Sequence, residues 1–136
     1  MILGFDPGRD KCGIAIMDKN RKIYYHQVVE SAKITTTIIE LNQKFDINLI
    51  VIGDQTTSKI WEQNLTKIIS NKVPIIKVDE RYSSLEARDR YWQLYPPPWF
   101  VRLIPKGMRI PPRPIDDIVA IILIERYLNS KWSYLN

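Results

Sequence analysis

The stretch from Met1 to Glu30 constrains this chain more than any other, because it reads as three strands joined by tight turns. Ile2 to Phe5 is a short apolar run stopped by Asp6, Pro7 and Gly8, the pattern of a buried strand ending in a turn. Gly13 to Met17 is a second run closed by Asp18, Lys19 and Asn20, and Lys22 to Val29, rich in Tyr and Val, is a third. Strands this closely spaced pair antiparallel, since a parallel partner needs a crossover of about a dozen residues or more.

Downstream the period of the pattern changes. From Lys33 to Phe45 the apolar positions Ile34, Ile38, Leu41 and Phe45 recur at helical spacing, which predicts an amphipathic helix on one sheet face. Leu49 to Ile52 is a continuous apolar run closed by Gly53, as expected of a central strand covered on both faces. A second helix is predicted from Ile60 to Ile69, with Trp61, Leu65, Ile68 and Ile69 inward, and a fifth strand from Val73 to Val78, with Pro74 near its start where a missing donor is tolerated. Ser83 and Glu86 have the spacing of a capping box and predict a helix through Leu94, and the final helix is predicted from Asp116 to Leu128. The result is an α/β fold: a mixed five-stranded sheet, antiparallel through the first three strands, parallel through the first, fourth and fifth, with helices on both faces. That is an RNase-H-like topology, and the opening meander is what selects it over a flavodoxin-like sheet.

The chain has 136 residues, 45% hydrophobic and 26% charged, which predicts a single domain over residues 1–136. Cys12 is the only cysteine, so no disulfide forms within the chain and a reduced, cytoplasmic setting is expected. No apolar run approaches the roughly 20 residues that span a bilayer, and Met1 to Gly8 lacks the features of a secretion signal, so no membrane partner is expected. The net charge of +5 is local rather than general. Arg90, Arg102, Lys106, Arg109 and Arg113 occur between Arg90 and Ile115 with no acidic residue among them. The same region, a Pro-rich basic loop at 95–115, holds seven of the nine prolines and cannot be helical throughout. Its Trp99, Phe100, Val101, Leu103 and Ile104 predict packing against the body. A confined positive stretch on a neutral body suits a polyanion.

Acidic residues fall at the ends of the predicted elements: Asp6 after the first strand, Asp54 after the fourth, Asp79 and Glu80 after the fifth, Asp116 and Asp117 at the start of the last helix. In an open sheet the ligand crevice lies outside the carboxyl ends of parallel strands, so these side chains are expected to converge. Converging carboxylates raise each other's pKa unless a cation neutralises them. Mg²⁺ suits such a set, since it takes oxygen ligands and is held by one or two carboxylates together with water and substrate phosphate.

Gly4-Phe5-Asp6-Pro7-Gly8 with Gly13, Val51-Ile52-Gly53, Val78-Asp79-Glu80-Arg81 with Ser83, Ser84 and Ala87, and Ile115-Asp116-Asp117 leading to Ala120 and Glu125-Arg126-Tyr127-Leu128 together resemble the YqgF/RuvC-type family. These are Holliday-junction resolvases of the RNase-H-like superfamily, also linked to trimming of the 16S ribosomal RNA precursor. The resemblance implies an endonuclease dependent on Mg²⁺ or Mn²⁺, with Asp6 as first-strand ligand, Glu80 as mid-chain acid and Asp116 as late-helix acid. Asp117 is a neighbouring catalytic and metal candidate, and Asp54 a further metal candidate, because related enzymes carry an acid after the fourth strand. It implies nucleic acid as partner, branched DNA or structured precursor RNA, and a homodimer where a junction is cut symmetrically. Arg9, Lys11 and Arg81 near the acids, with Arg102, Lys106, Arg109, Arg113 and Trp99 in the loop, are candidate nucleic-acid contacts. The chain departs from the family at Asp54 to Ser58, where a Leu-Pro turn is common, at Tyr82-Ser83-Ser84, and in the length of its proline-rich loop.

Plainer roles stand beside these. Asp6 and Asp54 suit turns, Glu80 suits a surface pair with Arg81, and Asp116 or Asp117 suits a helix cap. Trp99 and Phe100 either stack on bases or pin the loop to the core, and the loop's cations either contact phosphates or are solvated. His26 is expected on the surface at a strand end, and Ser83 and Ser84 as caps rather than nucleophiles. A nucleic-acid-binding module with a degenerate metal site is the alternative class. An actin-type ATPase ranks below it, since this chain offers one such unit and neither a P-loop nor a G-x-G-x-x-G stretch.

Overall fold

The computed structural model describes residues 1–54 and 57–135. Its strands are β1 (Ile2–Asp6), β2 (Lys11–Met17), β3 (Ile23–Glu30), β4 (Leu49–Gly53) and β5 (Ile75–Val78), and its helices α1 (Ile34–Lys44), α2 (Ser58–Ile68), α3 (Ser83–Leu94), the single turn α4 (Trp99–Arg102) and α5 (Asp116–Leu135). The strands form one sheet in the order β3-β2-β1-β4-β5, antiparallel at β1-β2 and β2-β3 and parallel at β1-β4 and β4-β5. This is the expected mixed sheet, with β1 at its centre.

Strand alternation divides the side chains between two cores. Leu3, Phe5, Ile14, Ile16, Ile50 and Ile52 face Ile34, Ile38 and Leu41 of α1 and Leu65 of α2. Ile2, Ala15, Met17 and Val51 face α5 and Ala87 of α3. Every residue from Ile118 to Ile124 is buried, so α5 is covered by the sheet on one side and by α3 on another. Each such Ile or Leu contributes about 1.5–3 kcal/mol by leaving water. The approach of α5 to the sheet is close enough that a Cβ on Gly4 would lie 2.5 Å from the Ala120 carbonyl oxygen. Side chains at Gly4 and Gly13 are therefore excluded by helix packing.

Several expectations need correction. No capping box forms at Ser83, which is the first helical residue. The cap position belongs to Tyr82, at φ 61°, with no side-chain cap bond. Glu86 instead accepts a 2.6 Å hydrogen bond from Arg126 of α5. Tertiary pairing has overridden a local motif. β5 starts after Pro74, whose carbonyl accepts from Ile50 N at 3.0 Å. α2 begins at Ser58, earlier than expected, and α5 runs well past Leu128. The loop's apolar residues do not pack on the body: Trp99, Phe100, Leu103 and Ile104 are exposed. Arg102 and Arg109 close the loop on itself by donating to its own carbonyls, which removes the need for a hydrophobic anchor. Among the described residues no helix is long and apolar enough to cross a membrane.

Candidate active site

Asp6 ends the central strand on the α5 face of the sheet. It pairs with Gly13 of β2, and Gly53 follows Ile52, the β4 partner of Phe5, so a glycine stands on either side of Asp6. Both glycines leave room for acids from elsewhere. A Cβ on Gly13 would lie 1.8 Å from the Asp116 carbonyl oxygen, so the first residue of α5 rests on β2. A Cβ on Gly53 would lie 2.6 Å from Glu80 Oε2, so the Glu80 carboxyl covers β4. Asp6, Glu80 and Asp116 are thus gathered at one end of three adjacent strands.

The electrostatics follow from this placement. Burial pushes the Asp6 carboxyl up to about 7, and the charges of Asp116 and then Glu80 push in the same direction. Asp116 is also raised, first by burial and then by Asp117, against a backbone hydrogen bond and the attraction of Lys11. Asp117 differs: burial raises it, yet hydrogen bonds from His26 and Arg113, together with their charge, outweigh burial and hold it below the usual carboxylate range. Asp117 is 2% exposed, and both its carboxylate oxygens are engaged. His26 Nδ1 lies 2.7 Å from Oδ2, and Arg113 Nη1 and Nη2 donate to Oδ1 and Oδ2 at 3.0 and 3.2 Å. Asp117 therefore clamps the start of α5 to β3 and to the end of the proline loop.

Asp54 is exposed and stands outside the group acting on Asp6, with its charge felt by Arg81. Its neighbours Gln55 and Thr56, within the turn where the family pattern is lost, lie outside the described residues. Arg81 is 80% exposed and grips Asp79 with Nη2 at 2.8 Å from Oδ2, which together with the Arg81 backbone N–H holds the Asp79 carboxyl near 2. Among the described residues no three Asp, Glu, His or Cys side chains close into a cage around a common point. The donor set still fits a hard divalent ion, because Mg²⁺ keeps several waters and needs only one or two carboxylates.

The candidate nucleic-acid contacts divide by what they already touch. Lys11 is exposed beside Asp116 and lines a cleft of about 560 Å³ with His26, Tyr95, Arg113 and Asp117. Arg9 is exposed in the turn after β1. Lys106 and Arg109 border a cleft of about 510 Å³ with Trp92 and Pro97, and Trp99 is exposed. A wider cleft of about 900 Å³ runs along β5 between Lys77, Tyr82, Arg126 and Tyr127, and none of the three gathered carboxylates lines it. The expectation that His26 is a surface residue at a strand end is overturned. It sits within β3 opposite Ala15, on the α5 face, and bonds Asp117. Only the β2-β3 register could have revealed this.

Against known proteins, the family model described as the Tex protein YqgF-like domain matches residues 1–88, a span that includes Asp6 and Glu80. Two solved structures are similar in fold. One is "T. thermophilus RuvC in complex with Holliday junction substrate", at 14% identity and TM-score 0.57, covering 99% of this chain and 95% of that one. The other is "Thermus thermophilus RuvC structure", at 13% identity and TM-score 0.57, covering 99% and 96%. No curated protein matches. With well over half its length matched by the family model and a fold similar to that of RuvC, the chain belongs to the Tex protein YqgF-like domain family.

Proposed function

We propose that this chain is a single-domain endonuclease that hydrolyses phosphodiester bonds in structured nucleic acid with the help of Mg²⁺ or Mn²⁺. The observation that carries the reading is the gathering of Asp6, Glu80 and Asp116 at one sheet end, where burial first and then the charges of Asp116 and Glu80 lift Asp6 to about 7. Asp6, Glu80 and Asp116 are the residues that would hold the metal. A divalent ion bound there supplies the charge that neutralises the carboxylates and stabilises the oxygens of the phosphodiester undergoing hydrolysis.

The chain's own groups do the rest. Asp117, with both oxygens engaged by His26 and Arg113, is a positioning residue for Asp116 rather than a ligand. Lys11, beside Asp116, offers a positive charge to a phosphate entering from the β3 side. Water is the nucleophile, and no side chain forms a covalent intermediate. The described fold of the RuvC–junction complex supports branched DNA as the first substrate to try, with structured precursor RNA second.

A cleavage panel of four-way junction, flap, duplex and structured RNA, each with Mg²⁺ and Mn²⁺, tests the proposal with Asp6→Asn as control. The expected result is metal-dependent cleavage by the parent and none by the variant, which retains binding. Salt-sensitive binding without cleavage under every condition would instead establish the inactive binding module.

A further inference from the structure

The proline loop between α3 and α5 is held in shape by itself, yet it turns its apolar side chains outward. Arg102 Nε donates to Pro97 O at 3.2 Å, and Arg109 Nε and Nη2 donate to the carbonyls of Ile104 and Arg102 at 2.9 and 3.1 Å. Trp99 and Phe100 meet edge to face at 5.8 Å between ring centres. Even so, Trp99, Leu103, Met108 and Ile110 are between 70% and 80% exposed. Large apolar side chains exposed together on one short, ordered loop mark an interaction site. Its order is built in, so a partner would meet a preorganised surface.

Charge decides the occupant. The segment from Arg90 to Ile115 contains Arg102, Lys106 and Arg109 and no carboxylate. A second copy docking through the same patch would bring like charges together. Aromatic side chains interleaved with cations instead match the two faces of an unpaired nucleotide, a base to stack and a phosphate to neutralise. The loop also runs straight into Asp116: five residues, or six chain steps of no more than about 3.5 Å each, separate it from Ile110. The end of the loop at Ile110 is therefore within about 21 Å of Asp116.

We infer that the loop at 95–114 is a binding platform for unpaired nucleic-acid strand, with Trp99 and Phe100 as stacking residues, so that the preferred substrates carry a single-stranded segment beside the bond to be cut. The inference rests on the nuclease reading for its link to cleavage, while the binding itself does not require it. The test measures fluorescence anisotropy of a labelled oligothymidylate and of a duplex of equal length in EDTA, with the full chain and with the Trp99→Ala/Phe100→Ala double variant. Stacking losses of this type predict at least about tenfold weaker single-strand binding by the variant. Duplex affinity should change less than about twofold, and the melting temperature should stay the same because both rings are exposed.

Failure of the parent to bind oligothymidylate, or equal losses on both probes, overturns the inference. So does a variant that loses self-association, or adsorption to anionic phosphatidylserine vesicles, while oligothymidylate affinity is unchanged. Cleavage of a junction by the parent and its loss in Asp6→Asn would leave the nuclease reading standing in any of those cases.

Discussion

Asp6 keeps its proton to about pH 7 in the folded metal-free protein but only to about 3.8 in the unfolded chain. Between those values the folded state binds more protons, so the contribution of this group is full below about 3.8 and is lost as pH rises through about 7. In EDTA above about pH 8, Asp6→Asn should be more stable than the parent by on the order of 2–4 kcal/mol, with the difference shrinking toward about pH 4. Urea unfolding at the two pH values measures this. Asp117 behaves in the opposite sense: its lowered pKa contributes stability at neutral pH that disappears as acid protonates it. Asp117→Ala strands Arg113 and removes the partner of His26, and calorimetric melting should show a loss of about 3 kcal/mol. The convergence of Asp6, Glu80 and Asp116 was legible in the sequence because each ends a strand, follows one or opens a helix. The different surroundings of Asp116 and Asp117 were not, since the partner of Asp117 is a histidine 91 residues away.

At the scale of elements, two glycines do different work and should respond differently to the same substitution. Gly13→Ala forces a methyl group into the backbone of Asp116, which cannot yield without lifting α5 from β2. A loss of about 1–3 kcal/mol in urea unfolding is expected, together with loss of cleavage. In Gly53→Ala the atoms nearest the new methyl group are those of the Glu80 carboxyl, the far end of a flexible side chain. Its melting temperature should stay near that of the parent while cleavage is lost, because Glu80 is displaced. Equal destabilisation of the two variants would contradict the assigned packing. Periodicity identified the strands and long helices of this fold, since each buries a regular face: Ile34, Ile38 and Leu41 on α1 are an example. It misplaced details governed by tertiary contacts. The Ser83–Glu86 pair had the right spacing for a cap, but Glu86 was taken by Arg126 from α5 and the turn was set by Tyr82 at positive φ.

For the whole molecule, the meander at β1-β2-β3 fixes which end of the sheet collects the acids, because it leaves β1 central with β4 beside it. That much follows from the spacing of turns in the sequence. The orientation of the proline loop does not, since its Arg-to-carbonyl bonds depend on the folded path of the chain. The central claim is that the gathered carboxylates share a divalent cation, and a Mn²⁺ titration by calorimetry addresses it directly. At about pH 7, where Asp6 is near half-protonated, saturable binding should release about half a proton per chain, seen as a dependence of heat on buffer. The release should fade toward about pH 9, and Asp6→Asn should bind far more weakly. No saturable binding by the parent, or equal binding by Asp6→Asn, would contradict the account.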